Sequence, residues 1–203
     1  MIKTITIARG MGSGGRTIGR MLSEELGYKY YDKDLIRLAS EDSGINEAFF
    51  GRVDEKLKTS FIKRGGVYKG GVIDPSSKEF TSDRNLFNFQ AKIIKELADK
   101  EPAVIVGRCA DFILADREDV LRLFIYCDRK TAVKNVIEAY GVSEKDADKL
   151  IEKTDKVRSD YYRHYTGRDW CSAMNYNLCL DTGRQDFATC VKIIKGYMEI
   201  VGG

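Results

Sequence analysis

The distribution of apolar residues along the chain predicts five β-strands. The first segment, residues 2–8, alternates isoleucine with threonine, and β-branched residues in such a pattern are typical of strands. Two later segments, residues 103–106 and 120–127, are continuous apolar runs, which is the pattern of parallel strands buried on both faces of a sheet. The predicted strands cover residues 2–8, 28–31, 103–106, 120–127 and 176–180.

Apolar residues at helical spacing predict helices between these strands. The helix after the first glycine cluster ends at Gly27, and Asp32 is interpreted as the N-cap of the next helix. Ser143 begins a long helix with acidic residues in its first turns. Further helices are predicted over residues 47–63, 85–99, 129–140 and 187–201. Because strands alternate with helices, the sequence predicts an α/β fold with a mostly parallel sheet.

One segment interrupts this alternation. Residues 64–83 contain four glycines, a proline and several serines, which predicts an exposed and mobile loop. The length of 203 residues fits one domain, and the presence of only two prolines argues against long disordered linkers. We therefore expect a single domain over residues 1–203.

Composition excludes several classes of function. The net charge of +3, from 34 basic and 31 acidic residues, is too small for a protein that coats nucleic acid. Five cysteines without a C-x-x-C pair indicate reduced thiols, and the single histidine, His164, argues against a histidine triad or a multi-histidine zinc site. With no signal-peptide pattern and no long apolar run, we expect a cytoplasmic protein without a membrane partner. The oligomeric state stays open.

The strongest chemical signal is the glycine cluster after the first strand. Residues from Gly10 through Gly15 to Arg16 and Thr17 fit the spacing G-x-x-x-x-G-[basic]-[ST]. Glycines let backbone N–H groups converge on a phosphate, and the following helix adds the positive end of its dipole. The hydroxyl of Thr17 is in position to bind Mg²⁺.

A plain tight turn is the alternative to a phosphate loop, and the strand before and helix after it favour phosphate binding. Arg16 stands where a lysine is usual. Arginine also reaches phosphates, and does so bidentately, although its planar fork is bulkier. For Arg9, just before the loop, a phosphate contact and a solvated position at the strand edge are both open.

The second half of the chain carries further cations. Arg108 follows a predicted buried strand, where open α/β sheets place ligand-binding groups, although a salt bridge to a nearby aspartate is the alternative. Asp111 either orients Arg108 or binds a base. Asp155 and Arg158 are i,i+3 neighbours, so they form either a surface ion pair or a held phosphate grip. For Trp170, packing is favoured over stacking on a base.

Several segments together resemble the cytidylate kinase-like P-loop proteins, which are relatives of the nucleoside monophosphate kinases. The matching segments are ITIARGMGSGGRTIGRMLSEELGYKYYDKDLI, VIVGRCADFIL, FIYC, DKVRSDYYRHYTGRDW and YNLCLDTG, in the order of the family. The resemblance implies a P-loop nucleoside triphosphate hydrolase fold: five parallel strands flanked by helices, with a helical lid over about residues 141–170. Residues 46–83 match poorly and would form an insertion on the acceptor side.

The resemblance also implies roles for individual residues. The residues that would hold the ATP phosphates are Gly12, Ser13, Gly14, Gly15, Arg16 and Thr17. Asp32 would order magnesium-bound water or the acceptor, and Arg108 would hold the acceptor monophosphate. Asp155 and Arg158 would be the acid–arginine pair of the lid-side helix, and Arg163 a further lid arginine.

These observations lead to one main hypothesis and two alternatives. The main hypothesis is an ATP- and Mg²⁺-dependent kinase that transfers the γ-phosphoryl group to CMP or dCMP, with Arg16, Arg158 and Arg163 stabilising the transferred charge. A monophosphate oxygen is already ionised, so no general base is needed. The alternatives are a kinase of the same architecture for a non-nucleotide small molecule, with residues 61–83 shaping its pocket, and a nucleotide-binding module without catalysis.

Overall fold

A computed structural model describes residues 1–56 and 67–202 of the chain. Within these residues, five strands form one parallel sheet in the order β2-β3-β1-β4-β5. The strands are β1 (Thr4–Arg9), β2 (Lys29–Tyr31), β3 (Ala103–Val106), β4 (Val120–Tyr126) and β5 (Leu178–Asp181). The prediction of a five-stranded parallel sheet is therefore confirmed.

Helices cover both faces of this sheet. They are α1 (Gly15–Leu26), α2 (Asp34–Ser43), α3 (Glu47–Lys56), α4 (Asp83–Lys100), α5 (Ala110–Ile113), α6 (Arg129–Tyr140), α7 (Glu144–Thr166) and α8 (Phe187–Gly202). A short 3₁₀ helix, Ala173–Asn175, precedes β5. Among the described helices, none is long and apolar enough to cross a membrane.

The core is divided by the sheet because side chains alternate between its two faces. Ile5 and Ile7 of β1 pack with apolar residues of α1 and α8 on one face. Ile105 of β3 and Phe124 of β4 lie on the opposite face, among buried residues of α2, α4 and α7. The continuous apolar runs in the sequence thus have the predicted cause, burial on both faces.

Most predicted element boundaries agree closely with the structure. The strand over residues 103–106 and the helix over residues 129–140 have the predicted ends, and Gly27 ends α1 in the left-handed conformation with φ of 68°. Ser143 caps α7 by accepting a hydrogen bond from the amide of Asp146. The short helix α5 and the 3₁₀ helix are not signalled by the sequence pattern, because each spans a single turn.

The interpretation of Asp32 as a helix cap is wrong. Helix α2 begins two residues later, and the residue in its N-cap position, Lys33, makes no side-chain capping bond. The carboxylate of Asp32 is instead engaged by the guanidinium group of Arg16, with 2.7 Å between Nε and Oδ2. A charged partner across the site therefore competes successfully with the helix amides for this side chain.

The segment before α4 is attached to the body of the protein in its described part. Asn85 of α4 accepts a hydrogen bond from the amide of Ile73 and donates one to the carbonyl of Phe80. The amide of Tyr68 donates to the carbonyl of Tyr165 in α7. Residues 67–82 thus form no helix or strand but follow α4 closely. The rest of the predicted loop and the end of the helix predicted over residues 47–63 lie outside the described residues.

Candidate active site

The glycine loop, residues 10–15, joins β1 to α1 and has a backbone that requires glycine. Gly12 and Gly14 adopt left-handed φ angles of 79° and 75°, which side chains disfavour. A Cβ atom at Gly12 would lie 2.6 Å from the carbonyl oxygen of Ala132, and one at Gly14 would collide with the ring of Phe187. The loop can therefore approach α6 and α8 only because these side chains are absent.

Side chains from three separate elements hold the loop in this shape. Asn135 of α6 donates to the carbonyl of Gly12 at 2.8 Å, and Thr182, just after β5, donates to the next carbonyl at the same distance. From α7, Asp155 accepts a hydrogen bond from the amide of Met11 at 2.8 Å. These three hydrogen bonds fix the backbone of the loop through contacts within the protein itself.

The end of the loop is suited to an anion. The N-cap residue of α1 is Gly14, which has no side chain to cap the helix, and the first turn of α1 contains no acidic residue. The first amides of a helix have no acceptor within the helix, and the dipole gives them a partial positive charge. Ser13 is buried and its hydroxyl donates to the carbonyl of Gly10, so this side chain serves the loop itself.

Two adjoining cavities lie beside this loop and share the residues that flank it. The loop cleft, of about 420 Å³, lies between the glycine loop and α6. Its walls include Gly10, Gly12, Gly14, Gly15, Arg16, Thr17, Asn135, Tyr140, Arg158 and Phe187. The Arg108 cleft, of about 720 Å³, lies at the carboxyl ends of β1 and β3. Its walls include Arg9, Arg16, Asp32, Arg108, Asp111, Arg158, Tyr161, Tyr162 and Trp170.

Three arginines, Arg9, Arg16 and Arg158, belong to the walls of both cavities. The guanidinium of Arg158 donates to the carbonyl of Arg9 and to the carboxylate of Asp155, each at 3.0 Å. The pair at residues 155 and 158 is therefore a half-buried clamp on the glycine loop rather than a surface ion pair. Burial lowers the pKa of Arg158, with the charge of Arg16 as a smaller cause, while burial raises the pKa of Asp155.

Arg9 is not at a solvated edge, which was one of its two interpretations. Its side chain is only 14% exposed, and its guanidinium lies 3.8 Å from the carboxylate of Asp32. Burial, with the repulsion of neighbouring arginines as a smaller cause, lowers the pKa of Arg9 from 12.5 to about 9. The group stays protonated at neutral pH.

The backbone after β3 is strained where it enters the Arg108 cleft. Gly107, Arg108 and Cys109 follow one another in the left-handed region, with φ of 81°, 57° and 56°. For the two residues with side chains this conformation costs about 1–2 kcal/mol each. The guanidinium carbon of Arg108 lies 5.7 Å from the ring centre of Tyr161 on α7. The strain is thus located where a cation is presented to the cleft.

Asp111 has a partner that sequence reasoning did not include. It is 4% exposed and accepts a hydrogen bond from the hydroxyl of Tyr162 at 2.7 Å. Burial raises the pKa of Asp111 to about 6, an effect that the hydrogen bond from Tyr162 opposes. Trp170 is buried against Phe124, as predicted, and also reaches the wall of the cleft.

The structure does not bring Arg163 to the other candidate residues. Its side chain is exposed on the last turn of α7 and belongs to the walls of neither cleft. A step of five residues along an α-helix is a rotation of ~140°, which turns Arg163 away from the face of Arg158. Tyr161 and Tyr162, three and four residues on, share that face.

The residues present fit a magnesium nucleotide. Among the described residues, no group of three or more His, Cys, Asp or Glu side chains could hold a metal ion by itself. Mg²⁺ in phosphoryl-transfer sites is bound by one or two protein oxygens together with the phosphates of its ligand. Thr17, in the wall of the loop cleft, offers such an oxygen, and the uncapped helix and the arginines offer binding groups for the phosphates.

A glycine loop after the central strand of a 2-3-1-4-5 parallel sheet, with ligand clefts at the carboxyl ends of the strands, defines a P-loop kinase fold. The sequence matches the cytidylate kinase-like family over residues 4–184. The chain therefore belongs to the cytidylate kinase-like family. Among curated proteins, no sequence matches it.

Solved structures support the same fold. An uncharacterized protein from Eubacterium ventriosum is 28% identical with a TM-score of 0.71, and the match covers 98% of this chain and 99% of that one. A gluconokinase from Sinorhizobium meliloti is 13% identical with a TM-score of 0.55, over 98% and 93% of the two chains. A shikimate kinase from Bacteroides thetaiotaomicron is 12% identical with a TM-score of 0.53, over 97% and 98%.

Two residues of the loop cleft were not found from the sequence. Asn135 and Phe187 come from α6 and α8, more than 100 residues after the loop they contact. An asparagine inside a predicted helix is a common surface residue, and a phenylalanine at the start of an apolar helix is a common core residue. No local signal separates them from those ordinary positions.

Proposed function

We propose that this protein transfers the γ-phosphoryl group of ATP to a nucleoside monophosphate, with CMP or dCMP as the acceptor. The observation that carries the proposal is that Arg9, Arg16 and Arg158 line both clefts. Phosphoryl transfer needs cations between donor and acceptor, because charge spreads over the group that moves from one to the other. The family relationship supports a kinase, and supports cytidylate more than other acceptors.

In this proposal the loop cleft binds ATP. The backbone of Gly10, Gly12, Gly14 and Gly15 surrounds the phosphates, and the amides at the start of α1 donate to them. Arg16 reaches the β- and γ-phosphates from the end of the loop. Mg²⁺, when bound with ATP at Thr17, neutralises part of the phosphate charge.

The Arg108 cleft then binds the monophosphate. Arg108 holds the acceptor phosphate, Asp32 positions it by hydrogen bonding, and the aromatic side chains of Tyr161 and Tyr162 form a wall for the base. An acceptor oxygen attacks the γ-phosphorus in line, and the bond to the bridging oxygen of ADP breaks. Because the attacking oxygen is already ionised, no side chain has to remove a proton.

The helices around residues 141–170 take the role of a lid in this proposal. The walls of the loop cleft include Asn135 and Tyr140 of α6, and Arg158 of α7 donates to the carbonyl of Arg9, the residue before the glycine loop. Closure of these helices over bound ATP would exclude water and limit hydrolysis without acceptor. Arg163, which faces away in the structure, stays a prediction for the closed state.

A hydroxyl-bearing small molecule is the second candidate acceptor. Asp32, in the wall of the Arg108 cleft, is a carboxylate beside the P-loop arginine, where it could accept the proton of an attacking hydroxyl. The gluconokinase and shikimate kinase similarities support the shared fold and leave the acceptor open, since both fall below 15% identity.

The test is ADP release from Mg²⁺-ATP with a panel of acceptors and a control without acceptor. The panel contains ribo- and deoxyribonucleoside monophosphates and, separately, sugar acids and other hydroxyl compounds. Stimulation by CMP or dCMP alone supports the first proposal, and stimulation by a hydroxyl compound supports the second. ATP binding without stimulation by either group identifies a nucleotide-binding module without catalysis.

A further inference from the structure

Arg9, the last residue of β1, is enclosed by positions that lack side chains. A Cβ atom at Gly15 would lie 2.6 Å from the Cβ of Arg9, and a Cβ at Gly107 would collide with its guanidinium nitrogen Nη1. The arginine therefore occupies a channel that two glycines keep open, one at the start of α1 and one just after β3. Such a channel fixes the position of the guanidinium group.

The described residues do not supply a hydrogen-bond acceptor for every donor of the Arg9 guanidinium group. Its Nε is buried and has no hydrogen-bond partner among the described residues. The nearest carboxylate oxygen, on Asp32, lies 3.8 Å from Nη2, beyond hydrogen-bond distance, and the same carboxylate is bound at 2.7 Å by Arg16. A buried charged donor without an acceptor is unfavourable, so the position indicates a ligand that supplies the acceptor.

The charges around Arg9 point to the nature of that ligand. The guanidinium groups of Arg16, Arg108 and Arg158 all repel the charge of Arg9, and the carboxylate of Asp32 attracts it. Arg158 is itself paired with Asp155. Positive charge gathered at a buried point where two clefts meet is the environment of a multiply charged anion, and a phosphoryl group has both the charge and the oxygens.

A purely structural arginine would have a different setting. Arg117 shows it: this side chain makes close contacts with both Asp99 and Asp119 and lines none of the described cavities. Arg9, in contrast, has one shared carboxylate and lines both clefts. Arg117 therefore has the contacts of an arginine that stabilises the fold, whereas Arg9 has the surroundings expected of an arginine that binds an anion.

We propose that Arg9 binds the phosphoryl group during its transfer, donating from its guanidinium nitrogens to the γ-phosphate oxygens at the junction of the two clefts. The inference rests on the proposed function, and it makes Arg9 a catalytic residue. No proton moves through Arg9: the acceptor oxygen forms its bond to phosphorus, the electron pair of the broken bond leaves with ADP, and the guanidinium balances the spreading charge.

With this role, Arg9 acts on the phosphate together with Arg16, the arginine that stands at the usual lysine position. The side chain of Arg16 is 44% exposed, whereas that of Arg9 is 14% exposed and enclosed. Arg16 can follow the nucleotide as it enters, while Arg9 supplies a charge whose position does not change. A fixed charge stabilises a transition state more than a mobile one, because no reorganisation is needed when the charge develops.

The test compares the binding of ADP with that of a non-hydrolysable ATP analogue by titration calorimetry, in the presence of Mg²⁺. The variants are Arg9→Met, Arg9→Lys and, as a matched control, Arg20→Met, whose arginine lies on α1 over the ring of Tyr30. We expect Arg9→Met to weaken the analogue by about tenfold and ADP by less than threefold. Turnover should fall by about 10²-fold, as for loss of one charge contact in a transition state.

Arg9→Lys keeps the charge and serves if Arg9→Met does not fold. A lysine lacks the fork of donors, so we expect an intermediate loss of preference for the analogue over ADP. The control Arg20→Met should retain the full preference. The thermal midpoint without nucleotide should change little in Arg9→Met, because the arginine cluster repels itself, while the gain on adding the analogue should shrink.

Two outcomes overturn the inference. One is an unchanged preference for the analogue over ADP in both Arg9 variants. The other is a large loss of thermal stability without nucleotide together with an unchanged gain on binding, which would make Arg9 structural. Failure of the proposed function looks different: wild-type protein would bind the analogue with its γ-phosphate preference intact and show no transfer to any acceptor.

Discussion

The two clefts that meet at the arginines are built in opposite ways. The loop cleft is dominated by one contiguous stretch, residues 10–17, whose glycines fix its shape. The Arg108 cleft is assembled from side chains between residues 8 and 170 that come from strand ends, from the loops after them and from five helices. A contiguous site depends on backbone conformation, whereas an assembled site depends on where separate elements place their side chains. The two should therefore respond differently to substitution.

The largest effect is expected in the backbone of the glycine loop. Gly12→Ala places a methyl group against the carbonyl of Ala132 in a left-handed conformation, which we expect to lower the free energy of unfolding by about 4 kcal/mol. The matched control is Gly44→Ala, where φ is 69° and no atom lies within 4 Å, with an expected loss of about 1 kcal/mol. Urea unfolding measures both, and equal losses would contradict the close approach of the loop to α6.

Arg16→Ala tests the side chain at the end of the same loop. We expect turnover to fall by about 10²-fold, which corresponds to ~2.7 kcal/mol of transition-state stabilisation. The free energy of unfolding should change by less than ~1 kcal/mol, because the ion pair with Asp32 is half-exposed on the Arg16 side. Steady-state kinetics beside Arg20→Ala provide the measurement, and full activity would remove Arg16 from the catalytic role.

Asp111 should give the Arg108 cleft a pH dependence of stability. The pKa of Asp111 is about 6 in the folded protein against an ordinary 3.8, so between these pH values the folded state binds more protons than the unfolded state. Stability therefore falls as the pH rises from about 4 to about 6.

Asp111→Asn should remove this cost and raise the free energy of unfolding at pH 7 by about 2 kcal/mol, with little gain near pH 4. The amide oxygen can still accept the hydroxyl of Tyr162. Urea unfolding across this pH range, with the exposed Asp116→Asn as control, gives the measurement. A gain of equal size at all pH values would show that the carboxylate is not the cause.

The smallest expected effect is a change in KM that distinguishes the two clefts as binding sites. Arg108→Ala should raise the KM for the acceptor by about tenfold, or ~1.4 kcal/mol, and leave the KM for ATP within about twofold. Arg168, which lies over the ring of Phe112 and outside the walls of both clefts, supplies the control substitution. Equal increases in both KM values would refute an acceptor role for Arg108.

The same contrast explains what could be predicted from sequence. The glycine loop and the sheet were predictable, because backbone requirements and apolar runs are local properties of the chain. The pairing of Asp155 with Arg158 could be predicted from their spacing. Its position beside the glycine loop could not, since surface ion pairs have the same spacing. Asp32 was wrongly interpreted as a helix cap because its partner, Arg16, becomes a neighbour only in the folded chain. The enclosure of Arg9 was invisible for the same reason, as it depends on Gly107 almost 100 residues away.

The two halves of helix α7 pack against different parts of the protein. Its second half is fixed, with Asp155 bound to the glycine loop, Arg158 bound to the end of β1 and Tyr165 stacked 4.0 Å from the ring of Phe87. Its first half packs with α6 in a small apolar cluster of its own, Ala132, Val136, Ala147 and Ile151, separate from the two main cores. We therefore expect α6 and the first half of α7 to move together in any rearrangement, because their shared apolar contacts are independent of the two main cores.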